Sequence, residues 1–217
     1  MSTTQLDHLV VAAATLDEGV RWCEAELGIT PGPGGKHALM GTHNRLFKIA
    51  GAQFPNAYFE IIANDPDAPP PGRARWFGLD ALDLRGGPRL IHWVARTSAL
   101  DARLAALSQA GLQAGRAIGA SRETPQGRLS WRIAVRDDGT LLHAGALPTL
   151  IEWGQRHPAA SMPDSGISLR SLTLRGLPLA AARALALSGV RLASDAGPAL
   201  SVQLDTPRGP VCLSTRQ

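Results

Sequence analysis

Leu6-Asp7-His8-Leu9-Val10-Val11-Ala12 places a histidine inside an apolar, partly β-branched run, the pattern of a buried strand. It returns as Ile91-His92-Trp93-Val94-Ala95, and again as Leu169-Arg170-Ser171-Leu172-Thr173-Leu174 with serine in the histidine's place. After the first stretch, Thr15 offers an N-cap with Glu18 three residues on, so a helix is expected over 15–27 with Gly28 as its stop. A Gly/Pro-rich loop over 30–35 leads to strands at 45–49 and 58–63, with a short extra strand possible near 35–40. The second stretch is followed by a helix over 98–111, a strand over 129–135, an Asp138-Gly139 hairpin turn and a closing strand over 148–153. The third leads to a helix over 177–187 and strands over 200–204 and 211–214. Repeats of a β-α-β-β unit therefore organise the chain. A first module is expected at 5–64, a proline-rich connector with a short helix (75–82) at 65–88, a second module at 89–157 and a degenerate half-module at 166–217.

The 217 residues are 44% hydrophobic, enough for a substantial core. No apolar run reaches the roughly 20 residues that span a bilayer, and the N-terminus carries no leader-like h-region, so a cytoplasmic protein without a membrane partner is expected. Cys23 and Cys212 stand far apart and read as buried thiols. The net charge of +4 and pI of 9.8 come almost wholly from scattered arginines, with no basic stripe interleaved with aromatics, so nucleic acid is not an expected partner.

Four residues carry the chemistry. His8 lies in the first strand of module one and Glu60 in its last; His92 and Glu152 occupy matching places in module two. A carboxylate buried among apolar residues needs a cation or a proton. Two His–Glu pairs meeting on a pseudo-two-fold axis would suit a divalent ion such as Zn, Ni, Mn, Co or Fe. Trp93 and Trp153 follow proposed ligands, so alternation assigns them to the opposite sheet face. Tyr58 shares the face of Glu60, and His37, His43 and Asn44 form a polar stretch before the second main strand. His37, His43, Asn44 and Tyr58 are the candidate substrate contacts. His143 and His157 read as surface residues.

These residues resemble the vicinal oxygen chelate superfamily, in its glyoxalase-like branch. The resemblance implies an α+β fold of βαβββ modules, two of which pair into a curled mixed sheet around a metal. It implies His8, Glu60, His92 and Glu152 as ligands, with Glu60 or Glu152 as general base. The expected activity is an isomerase or lyase acting on a small carbonyl substrate. The alternatives are a small-molecule-binding resistance protein or a ring-cleaving dioxygenase. Ser171 and Cys212 stand at the ligand places of the third copy, which is expected to hold no metal and either to pair with the same copy of a second chain in a homodimer or to pack on the outside of its own first two copies.

Overall fold

The computed structural model describes residues 3–125 and 127–216. Met1 and Ser2, the start of the leaderless N-terminus expected above, lie outside them. Among the described residues, twelve strands and three α-helices follow in the order β1 (Gln5–Ala12), α1 (Leu16–Leu27), β2 (Gly32–His37), β3 (Thr42–Lys48), β4 (Tyr58–Asn64), β5 (Arg89–Arg96), α2 (Leu100–Gln109), β6 (Arg116–Arg122), β7 (Leu129–Val135), β8 (Thr149–Trp153), β9 (Ser168–Arg175), α3 (Leu179–Leu185), β10 (Arg191–Ala193), β11 (Leu200–Thr206) and β12 (Gly209–Ser214). The element order is βαβββ three times over. The extra strand of the first unit is β2, and its counterpart β6 has no signal in the sequence beyond Ile118 and Ala120.

The helix limits follow from local chemistry. Thr15 Oγ1 accepts the Glu18 N–H at 3.1 Å, and Glu18 returns a carboxylate oxygen to the Ala14 N–H at 3.2 Å. Gly28 then stops α1 in the left-handed region, donating its N–H to the Cys23 carbonyl, a conformation that glycine adopts without steric cost.

The first two units share one curled sheet of order β2-β3-β4-β1-β5-β8-β7-β6. The two central strands join the units: β1 and β5 run antiparallel, and each pairs parallel with the last strand of its own unit, β4 or β8. Leu6, Leu9, Val11, Phe59, Ile61, Trp93 and Ala95 face the rear, where they form the main core with α1, α2 and the third unit. Val10, Ala12, Ile62, Val94, Ile133 and Ile151 face the concave side.

The third unit forms its own sheet, β10-β9-β11-β12. Its first strand pairs parallel with β10 rather than with its last strand, so it shares the element order of the other units but not their strand order. It packs on its own chain. Leu169 donates to the Ile49 carbonyl, Ser188 to that of Thr4, and its leucines enter the main core. Of the two thiols, Cys23 is buried. Cys212, on β12, is exposed, contrary to expectation, because β12 is the outer strand of this sheet.

Asp138-Gly139 makes a tight turn but not a two-residue hairpin, since residues 136–148 separate β7 from β8. Gly78 donates to the Gly139 carbonyl at 2.8 Å, which docks that loop onto the connector. The connector's 3-10 segment, Trp76–Ala81, lies against the concave face with Trp76 and Phe77 buried. No helix among the described residues is long and apolar enough to cross a membrane.

Candidate functional site

The site begins with an irregularity in β1. Leu6 pairs with Ala95 and His8 with Val94, which leaves Asp7 as an extra, bulged residue. Strict alternation would send Asp7 to the rear core. The bulge re-aims it, and its carboxylate, fully buried, accepts from His8 Nδ1 at 2.7 Å, Trp153 Nε1 at 2.9 Å and His157 Nε2 at 2.9 Å. His157 Nδ1 accepts the Ala159 N–H, which settles which of its nitrogens donates to Asp7.

On its other side, His8 Nε2 lies 3.4 Å from Glu60 Oε2. The Glu60 Oε1 accepts from Asn44 Nδ2 at 2.6 Å. Burial alone would raise both carboxyls, but hydrogen bonds from His157 and His8 hold Asp7, and those from His8 and Asn44 hold Glu60, below the ordinary carboxylate range. Burial would also depress His8. The Asp7 and Glu60 carboxylates override it and raise the imidazole to about 9. His8 is therefore an imidazolium between two ionised carboxylates at neutral pH, and Tyr58 stacks on its ring at 4.5 Å, a cation–π arrangement.

Asn44 is held by β2. Its Oδ1 accepts the Gly35 N–H at 2.8 Å. A Cβ at Gly34 would collide with the Asn44 backbone, which explains the glycine at that position of Gly32-Pro33-Gly34-Gly35. His37 contacts Thr42 Oγ1 at 3.1 Å and meets the edge of Trp76 at 5.0 Å; burial lowers it to about 4. His43 sits one residue out of phase with Asn44 on β3. It pairs with Ala63 and turns toward Asp65, 4.0 Å away, so it does not line this pocket.

The second unit repeats the geometry without the charge. Val10 pairs with His92 and Val11 with Leu90, which makes Ile91 the bulged residue of β5. Ile91-His92 thus corresponds to Asp7-His8. In the first unit Glu60 sits opposite Val10, two residues past His8; in the second, Thr149 sits opposite Val94, two past His92. Thr149, not Glu152, is the counterpart of Glu60. Its backbone N–H donates to His92 Nε2 at 3.1 Å and its hydroxyl lies at the same distance. Burial lowers His92 to about 3.

Glu152 follows the sheet alternation to the rear face. It accepts from the Leu100 N–H at the start of α2 and from Arg132. Ala99 offers that helix no side-chain cap, and a carboxylate there satisfies an orphan N–H and complements the helix dipole. Trp153 points the other way, into the pocket with His8 and Glu60. For Glu152 and Trp153 the expected faces are thus exchanged, whereas Trp93 is in the rear core as expected.

Trp76 and Phe77 wedge between the two half-sites. Phe77 packs on His92 at 5.4 Å and on Trp76 at 5.3 Å. A cavity of about 40 Å³ remains on the His8–Glu60 side and one of about 30 Å³ on the His92 side. Phe77 holds φ at 60°, which a non-glycine residue adopts at a cost. The smaller cavities are dwarfed by an adjoining cleft of about 1050 Å³ that shares Leu46, Arg122 and Pro158 with the His8–Glu60 pocket.

Family comparisons agree with this architecture. The family model for the glyoxalase-like domain matches residues 6–188. The chain belongs to the glyoxalase-like domain family. Its paired modules and curled sheet place it in the vicinal oxygen chelate superfamily. A solved hypothetical protein from Staphylococcus aureus is 13% identical, with 99% of this chain and 87% of that one covered at a TM-score of 0.59. The methylmalonyl-CoA epimerase of Mycobacterium tuberculosis is 19% identical, with 68% and 85% covered at 0.40. A Streptomyces coelicolor methylmalonyl-CoA epimerase variant in complex with 2-nitronate-propionyl-CoA is 16% identical, with 70% and 96% covered at 0.44. No curated protein matches the sequence.

The superfamily typically uses divalent metals. Among the described residues no group of three or more His, Cys, Asp or Glu side chains is placed to hold one. The donor chemistry explains why. His8 and Glu60 are adjacent, Thr149 replaces the second carboxylate, Glu152 faces the rear and Phe77 packs against His92. The four-ligand set does not fit this arrangement.

Proposed function

We propose that this protein binds a small carbonyl compound on the concave face and moves a proton at the carbon beside the carbonyl, an isomerase- or lyase-type reaction. The buried Asp7–His8–Glu60 array carries this reading. Glu60 is ionised and so able to accept a proton, while His8 holds one. A substrate oxygen that takes the hydrogen bond of His8 Nε2 draws the imidazolium away from Glu60, and a carboxylate that loses such a partner becomes the stronger base. The same imidazolium faces the negative charge that grows on the oxygen as the carbon is deprotonated. Asp7 keeps His8 protonated and oriented, as buried carboxylates do for catalytic histidines. Asn44 fixes the Glu60 carboxylate, and Trp131, Trp153, Trp76 and Phe77 restrict water.

The test is solvent exchange. The protein would be incubated in deuterium oxide with small aldehydes, ketones and oxo acids, with a chelator or with added Zn²⁺, Ni²⁺, Mn²⁺, Co²⁺ or Fe²⁺, and followed by proton NMR. Deuterium should enter beside the carbonyl of at least one compound in chelator, and Glu60→Gln should abolish it. Exchange only with an added metal, exchange unchanged in Glu60→Gln, or no exchange at all overturns the proposal; binding without exchange would point to a sequestering protein.

A further inference from the structure

The sheet curls until its two edge strands, β2 and β6, come within one side chain of each other. Arg122, the last residue of β6, spans the gap. Ile118 and Ala120 pack on the concave-face core, so Arg122, in phase with them, points to the same side. It lines both the His8–Glu60 pocket and the adjoining cleft, and so stands between them. Its guanidinium rests where a side chain at Gly35 would lie, since a Cβ there would collide with it. The charge of Arg122 reaches His37 and Tyr58.

Arg122 forms no salt bridge among the described residues, in contrast to Arg75, Arg132, Arg136 and Arg175, which are matched to aspartates. The adjacent Glu123 turns to Arg128 at 4.0 Å. Glu60 is engaged by His8 and Asn44, and Asp7 by two histidines and a tryptophan. A half-buried guanidinium at the pocket mouth, with the nearby carboxylates committed elsewhere, is suited to a carboxylate arriving from solvent, which it can hold through two parallel hydrogen bonds.

We propose that Arg122 is the specificity-determining anchor of the site and that the ligand is an acid, its carboxylate held at Arg122 while its carbonyl end enters the His8–Glu60 pocket. This rests on the carbonyl reading above. The rest of the ligand, apart from its carbonyl and carboxylate, extends into the cleft, because the inner cavity, about 40 Å³, has room for little more than one or two water-sized groups.

Binding isotherms test it without requiring turnover. The probes are pyruvate, 2-oxobutyrate and phenylpyruvate, each beside its methyl ester, titrated into the wild type, Arg122→Gln, Arg122→Lys and Gly35→Ala. At least one acid should bind the wild type about tenfold or more tightly than its ester, a difference of about 1.4 kcal/mol. Arg122→Gln should erase that preference by weakening acid binding more than ester binding; Arg122→Lys should restore part of it. Gly35→Ala, which displaces the guanidinium while keeping its charge, should weaken acid binding selectively. Equal binding of acid and ester by the wild type, no binding of any acid, or an acid preference that survives in Arg122→Gln overturns the assignment. An acid preference that depends on Arg122 without deuterium exchange would uphold the anchor and sink the proton-transfer reading.

Discussion

Asp7 and His157, 150 positions apart in the chain, meet at 2.9 Å on the concave face. The contact fastens the segment after β8 to the first strand, beneath the cleft. Asp7 accepts three hydrogen bonds there without exposure to solvent, and two adjoining histidines depend on it for their orientation.

Asp7→Asn should therefore be costly. Removing one partner of a buried charge pair typically destabilises by about 3–5 kcal/mol. Urea denaturation at pH 7 should show a loss of that order, and the His8 titration followed by NMR should move down from about 9. A loss below about 1 kcal/mol with an unmoved His8 titration would contradict the array.

Stability should peak near pH 6.5. The folded value of His8, about 9, lies above its ordinary 6.5, so its contribution is complete below pH 6.5 and is lost as the pH rises through 9. His37 and His92, at about 4 and about 3, run the other way: their contribution is present above 6.5 and is lost as the pH falls toward those values. Asp7 and Glu60, both lowered, reinforce the acid limb. Denaturation midpoints between pH 4.5 and 9.5 would show both limbs, and His8→Asn should flatten the alkaline one. An alkaline limb unchanged in that variant would refute the assignment.

The two glutamates should separate cleanly. Glu60→Gln leaves a buried site without its ionised carboxylate and should abolish deuterium exchange. Glu152→Gln, on the rear face beside Arg132 and α2, should leave exchange and ligand affinity at the wild-type level. Equal loss of exchange in both would restore Glu152 to the site.

Phe77 offers a test by backbone conformation. Phe77→Ala should cost about 3–5 kcal/mol by opening a cavity. Phe77→Gly removes the same ring but relieves a left-handed backbone, worth roughly 1–2 kcal/mol, and so should be more stable than the alanine variant despite glycine's usual entropic penalty. Thermal denaturation that ranks alanine above glycine would refute this.

The strands bearing His8 and His92, the limits of α1 and the repeated β-α-β-β order were legible because each rests on local periodicity or a cap, whereas β6 and β10, the further strands of the second and third units, left no such mark. The site was legible only in part. Glu60, chosen for its place in the last strand, lies in phase with His8 because β1 and β4 pair in regular register. Glu152 was aligned with it by position in the last strand, and the long β7–β8 connection conceals that Thr149 holds the matching register. Asp7 was hidden because alternation assigns it to the rear and a bulge carries no sequence mark here. His157 and Arg122 reach the pocket only when chain ends and sheet edges come together in space. The glycines at 34 and 35 were the one visible sign of that closure.

The matched bulges in β1 and β5 have a practical consequence. Ile91-His92-Thr149 is a neutral twin of Asp7-His8-Glu60 within one molecule, sharing its strand register and bulge but lacking its carboxylates. The chain thus carries an internal reference for what the carboxylates do. Any property His8 shows and His92 does not, measured in the same tube on the same sample, reports the effect of two acidic side chains on a common scaffold.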